Sequence, residues 1–117
     1  MSSTDIFGGK IEKNPPESKL TEIFGVKIEK NPPESKLTEL GVRSWPRWSC
    51  PVSKFPWSFT GRETIYVLEG RVKVNIEGCD GSFELEPRDF AVFPKGMKIN
   101  CDCTEAFDKH MYLEENV

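Results

Sequence analysis

From Val26 onward the chain is a succession of short runs in which apolar and polar residues alternate, each closed by a turn rich in glycine or proline. A period of two sends successive side chains to opposite faces of an extended strand, so runs of this kind fold as half-buried β-strands. They are Val26 to Glu29, Arg43 to Ser49, Lys54 to Phe59, Glu63 to Leu68, Arg71 to Ile76, Ser82 to Leu85, Phe90 to Phe93, Lys98 to Cys103 and Phe107 to Leu113. Glu69-Gly70, Gly78-Cys79-Asp80-Gly81 and Pro94-Lys95-Gly96 supply the tight connections. One segment departs from the pattern. Asn31-Pro32-Pro33-Glu34 ends the first run, and Pro33 with Glu34 can open a short helical turn that reaches Leu40 and stops at Gly41. The expectation is an all-β chain with at most one short helical turn, closed into a jelly-roll β-barrel.

A chain of 117 residues makes one such domain and no more. Its formal charge of -3 is spread without a basic stripe, which argues against nucleic acid as a partner. No apolar run approaches the ~18 residues that span a bilayer, and Met1 to Lys10 carries no apolar signal core. The expectation is a cytoplasmic protein without a membrane partner. Cys50, Cys79, Cys101 and Cys103 then stand as free thiols, because nothing marks a secreted chain.

Ile6 to Glu22 recurs almost letter for letter at Ile23 to Glu39, differing only in Gly9 against Val26. Two near-identical 17-residue copies are not a solenoid, which stacks three or more divergent units on a shared face. Only one copy can fill a given place in the fold. The second is the better strand, since Val26 and Ile28 share a face where the first copy has Gly9. Residues 1–22 are therefore expected to be a loosely held arm before a barrel domain over 23–117. The alternative is that the arm adds an edge strand to a neighbouring subunit.

Two blocks carry a family resemblance: Glu63-Thr-Ile-Tyr-Val-Leu-Glu-Gly70 and Pro87-Arg-Asp-Phe-Ala-Val-Phe-Pro-Lys-Gly96. They resemble the two motifs of the cupin superfamily, with Glu63, Gly70, Pro94 and Gly96 in matching positions. The aromatic lead-in Ser44-Trp-Pro-Arg-Trp48 and Phe55-Pro-Trp57 is similar to the small single-domain cupins grouped with ureidoglycine aminohydrolase and the ethanolamine-utilisation cupins. The resemblance implies a homodimer. It also implies a metal held by histidines, yet the first-motif histidine slots fall on Trp57 and Phe59, or on Pro56 and Ser58 with longer spacing. The second-motif slot falls on Ile99. With His110 the only histidine, no family-type metal site can be assembled, and no cofactor is expected. Arg88, at a second-motif glycine position, lacks the backbone freedom of glycine.

If the barrel closes as the resemblance implies, Trp57, Phe59, Glu63, Ile65, Ile99, Cys101 and Cys103 face inward. The reading that follows is a metal-free cupin that binds a small molecule against Trp57, Phe59, Ile65, Ile99 and Cys101, anchored by Glu63. Glu63 needs a partner if buried, with Arg62 or Tyr66 as candidates. A second reading is a reduced-site hydrolase or isomerase in which Glu63 and His110 act as catalytic groups, provided both reach one cavity. A third is an interaction protein with a filled barrel, dimerising through exposed Trp45 or Trp48.

Overall fold

The computed structural model describes residues 20–116. Among the described residues are ten strands: β1 (Leu20–Ile23), β2 (Val26–Lys30), β3 (Arg47–Cys50), β4 (Ser53–Ser58), β5 (Arg62–Glu69), β6 (Val72–Ile76), β7 (Ser82–Leu85), β8 (Asp89–Phe93), β9 (Lys98–Cys103) and β10 (Phe107–Glu114). Between β2 and β3 lie a helix, α1 (Glu34–Leu40), and a 3-10 turn (Val42–Ser44). The strands form a six-stranded sheet ordered β1-β2-β8-β5-β10-β3 and a four-stranded sheet ordered β4-β9-β6-β7, paired antiparallel throughout. No helix among the described residues is long and apolar enough to cross a membrane.

Alternation along the strands builds the space between the sheets. Val26 and Ile28 of β2, Ile65 and Val67 of β5, Val72 and Val74 of β6, and Phe83 and Leu85 of β7 are all buried in one cluster. Removing a Val, Leu, Ile or Phe side chain from water is worth about 1.5–3 kcal/mol, so this cluster holds the two sheets face to face. The far face of the six-stranded sheet is covered as well. There Leu37 of α1 and Val42 of the 3-10 turn pack on Tyr66 and Phe90, which point outward from β5 and β8. Helix α1 ends where Gly41 takes a left-handed backbone with φ of 69°, its N–H donating to the Thr38 carbonyl.

Pairing of β5 with β10 carries an irregularity that bears on the site. Asp108 pairs with Glu69 but Lys109 pairs with Val67, leaving Leu68 as an extra residue on β5. A bulge of this kind breaks the alternation. Val67 faces the core, whereas Leu68 packs toward the outer cluster and Glu69 is exposed.

Several expectations need correction. The run Arg43 to Ser49 is not one strand: Val42 turns the chain inward, fully buried, and β3 begins only after Pro46. Leu20–Ile23 form β1 and pair with β2 through a two-residue turn at Phe24-Gly25, so Leu20, Thr21 and Glu22 of the expected arm belong to the sheet. The remainder of the repeat's first copy, and the pairing of the arm with a neighbour, lie outside the described residues. Trp45 and Trp48 are half-buried rather than free: Trp45 stacks on Tyr112 at 5.5 Å and Trp48 meets Phe55 edge-on at 6.0 Å. Arg88 adopts the left-handed backbone after all, with φ of 76°. It is held there by its N–H to the Val67 carbonyl at 2.9 Å and by the Asn31 N–H to its own carbonyl at 3.0 Å.

Candidate functional site

Inside the barrel is a cavity of about 160 Å³. Trp57, Phe59, Glu63, Ile65, Ile99 and Cys101 all line it. Of the two spacings open for the first-motif slots, the structure selects Trp57 and Phe59. Pro56 and Ser58, of the other parity on β4, are exposed. Phe59 stacks on Phe93 at 4.7 Å to make one wall, and Trp57 is half-exposed at 45%.

Glu63 is 2% exposed, and its partner is Lys109, with Nζ 3.0 Å from Oε2. Neither sequence candidate serves. Arg62 points to solvent and bonds Glu114 at 2.9 Å, and Tyr66 faces the outer cluster. Lys109 is a cavity residue that residue-by-residue weighing missed. The signal was the alternation of Phe107, Lys109 and Met111, which all line the cavity. Across the ladder Lys109 sits opposite Trp48, and its ammonium lies 5.0 Å from that ring's centroid. Glu63 sits opposite Leu113 and Lys109 opposite Val67, so the two side chains lean along their strands to meet.

His110 does not join them. The alternation that turns Lys109 inward turns His110 onto the outer face, where its Nδ1 lies 3.0 Å from the Trp45 carbonyl oxygen. A general base there cannot reach Glu63, so the pairing of these two groups as acid and base is not what the fold builds.

Cys101 and Cys103 both reach the cavity wall. Burial pushes the Cys101 thiol up to about 11 despite the opposing field of Lys109. Burial likewise pushes the Cys103 thiol up to about 12, aided by its contact with Cys50. Both are neutral at ordinary pH and act as small apolar groups in the wall.

The metal implied by the cupin resemblance does not fit these residues. Trp57, Phe59 and Ile99 offer no donor atom, and the one carboxylate already faces an ammonium. A divalent cation at Glu63 would lie beside the positive charge of Lys109. Among the described residues no cluster of three or more His, Cys, Asp or Glu converges on a point.

Two antiparallel sheets wrapped around an interior cavity, with these motif residues at its wall, define a cupin. The chain belongs to the family of EutQ-like cupin domains, whose sequence profile matches residues 37–111. A crystal structure of a DUF861-family protein from Thermotoga maritima is similar at 40% identity and a TM-score of 0.72, covering 76% of this chain and 99% of that one. A DUF1255 protein from Acidithiobacillus ferrooxidans is similar at 25% identity and a TM-score of 0.53, over 55% of this chain and 60% of that one. The EutQ protein of Clostridium difficile shares the fold at 14% identity and a TM-score of 0.52, over 79% of this chain and 59% of its own. No curated protein matches the chain.

Proposed function

We propose that this protein is a metal-free cupin that binds a small, mostly apolar molecule carrying one polar group. The observation that carries this reading is the cavity of about 160 Å³, whose wall is apolar except for the Glu63–Lys109 pair. A dry cavity of about 150 Å³ takes up benzene, whereas drug-sized ligands need roughly 300–1,000 Å³. The matching ligand is therefore about one substituted ring. Its apolar body lies against Trp57, Phe59, Ile65 and Ile99, and its polar group meets the carboxylate and ammonium. Because those two charges cancel, a ligand neutral overall enters with the least rearrangement.

Phenol, benzoate and benzylamine serve as neutral, anionic and cationic probes. Phenol is expected to quench tryptophan emission saturably and to raise the melting temperature, by the equivalent of about 2.7 kcal/mol at one hundred times its Kd. In Cys101→Phe, which fills the cavity, the response should vanish. If none of the three probes moves emission or melting in the parent protein, the barrel is merely filled. Metal analysis of untagged protein checks the other half of the proposal, and one equivalent of manganese, iron or zinc would overturn it. The reading includes a homodimer in which residues 1–19 are spare. Light scattering should give a dimer with and without them.

A further inference from the structure

We propose that Cys50 and Cys103 form a reversible disulfide that staples the two sheets together, with a hydroperoxide as the oxidant. Their Sγ atoms lie 3.2 Å apart, although the residues are separated by 53 positions in the chain. A disulfide bond measures about 2.05 Å, so the sulfurs need close a gap of only about 1.2 Å, within reach of small side-chain rotations.

The place of the pair in the fold gives the bond its effect. Cys50 ends β3, opposite Phe107 of β10, at the edge of the six-stranded sheet. Cys103 ends β9, opposite Ser53 and Val72, in the four-stranded sheet. Pro51 and Val52 alone carry the chain from Cys50 to β4, so this is the corner where it crosses between sheets. A covalent bond there closes the long loop from Cys50 to Cys103 and fixes the corner.

The other thiols are poorly placed to compete. Cys101 is two residues from Cys103 on one strand, where Cα atoms stand about 6.5–7 Å apart and suit a disulfide badly. Cys79 is exposed in the turn between β6 and β7. Within the pair the roles divide by access: Cys50 is half-buried, whereas Cys103 is 1% exposed. The Cys50 sulfur attacks the outer oxygen of the hydroperoxide, forming an S–O bond as the O–O bond breaks, and the Cys50 thiol proton passes to the departing oxygen. The peroxide leaves as an alcohol, or as water from hydrogen peroxide, and Cys50 becomes a sulfenic acid. The Cys103 sulfur then displaces the hydroxyl from Cys50, forming the S–S bond, and the Cys103 proton leaves with that hydroxyl as water. Two thiols and one hydroperoxide thus give one disulfide, one alcohol and one water. A dithiol reductant reverses the change.

The test treats the full chain with one equivalent of hydrogen peroxide, blocks remaining thiols and maps peptides without reduction. The expected product links Cys50 to Cys103, and dithiothreitol releases it. The melting temperature of the oxidised form should rise by about 10 °C, as for a bridge closing a loop of this length. Cys50→Ser, at the half-buried position, should abolish both the link and the rise, as should Cys103→Ala. Cys79→Ser and Cys101→Ser should keep both. Linkage of Cys50 to any other cysteine, or over-oxidation of Cys50 with Cys103 still alkylatable, would overturn the proposal.

Discussion

The two faces of the six-stranded sheet are built from the same strands and do opposite things with polar groups. On the inner face the alternation leaves one carboxylate and one ammonium, Glu63 and Lys109, in a cavity with apolar walls. On the outer face α1 and the 3-10 turn cover Tyr66 and Phe90, and polar groups settle at the margin. His110 meets a backbone carbonyl, and Asp108 bonds Arg47 and Ser49. The inner charges have each other and the Trp48 ring, whereas the outer carboxylates Glu29 and Asp108 are met by Lys36 and Arg47, whose side chains reach solvent. A pair with both members shielded from solvent is what sets the candidate site apart from the outer-face pairs, in which Lys36 and Arg47 stay exposed.

That contrast predicts a graded set of effects. Lys109→Ala should be the most damaging, by about 4 kcal/mol in urea unfolding, because it leaves the Glu63 carboxylate buried and unpaired. The double variant Lys109→Met, Glu63→Leu should recover most of the loss. If Lys109→Ala costs no more than an outer-face change, the contrast between the faces is broken. His110→Ala should cost about 1.5 kcal/mol through one lost hydrogen bond and some packing, and leave phenol affinity unchanged. Arg88→Gly, beside the outer cluster, should stabilise by about 1 kcal/mol, since glycine adopts the left-handed backbone without strain.

The smallest effect belongs to Asp108. Its hydrogen bond from Arg47 outweighs burial and holds its carboxyl below the ordinary carboxylate range. A carboxylate with a depressed folded-state pKa adds stability that is present above its unfolded value, near 4, and lost as pH falls through the folded one. Asp108→Asn should therefore lower stability slightly at neutral pH, where the pair is partly screened, by the amount that the acid limb below about pH 4 flattens, and converge with the parent in acid.

Most of the fold was legible because its signals are local. Gly41, Gly70 and Gly96 mark turns that require positive φ, and the observed φ values of 69°, 86° and 87° bear this out. At Gly70 a side chain would run into the backbone of Ala106. The cavity wall was legible as far as parity carried from Trp57 and Ile65. What escaped was pairwise. Nothing near Glu63 in sequence names Lys109, which lies 46 positions away. Residue type drew attention to His110, whereas direction decided for its neighbour. Arg88 escaped for a related reason: its conformation is imposed by hydrogen bonds to Val67 and Asn31, not by its own preference.

Leu68 is a phase shift in the strand. Up to Val67 the odd-numbered residues of β5 look inward, and had that rhythm continued, Glu69 would have delivered a second carboxylate to the interior. One unpaired residue resets the count, so the barrel encloses one negative and one positive charge and remains electrically balanced. Deleting Leu68 would only close the bulge, whereas a single-residue deletion between Glu63 and Val67 would exchange inside for outside along half the strand.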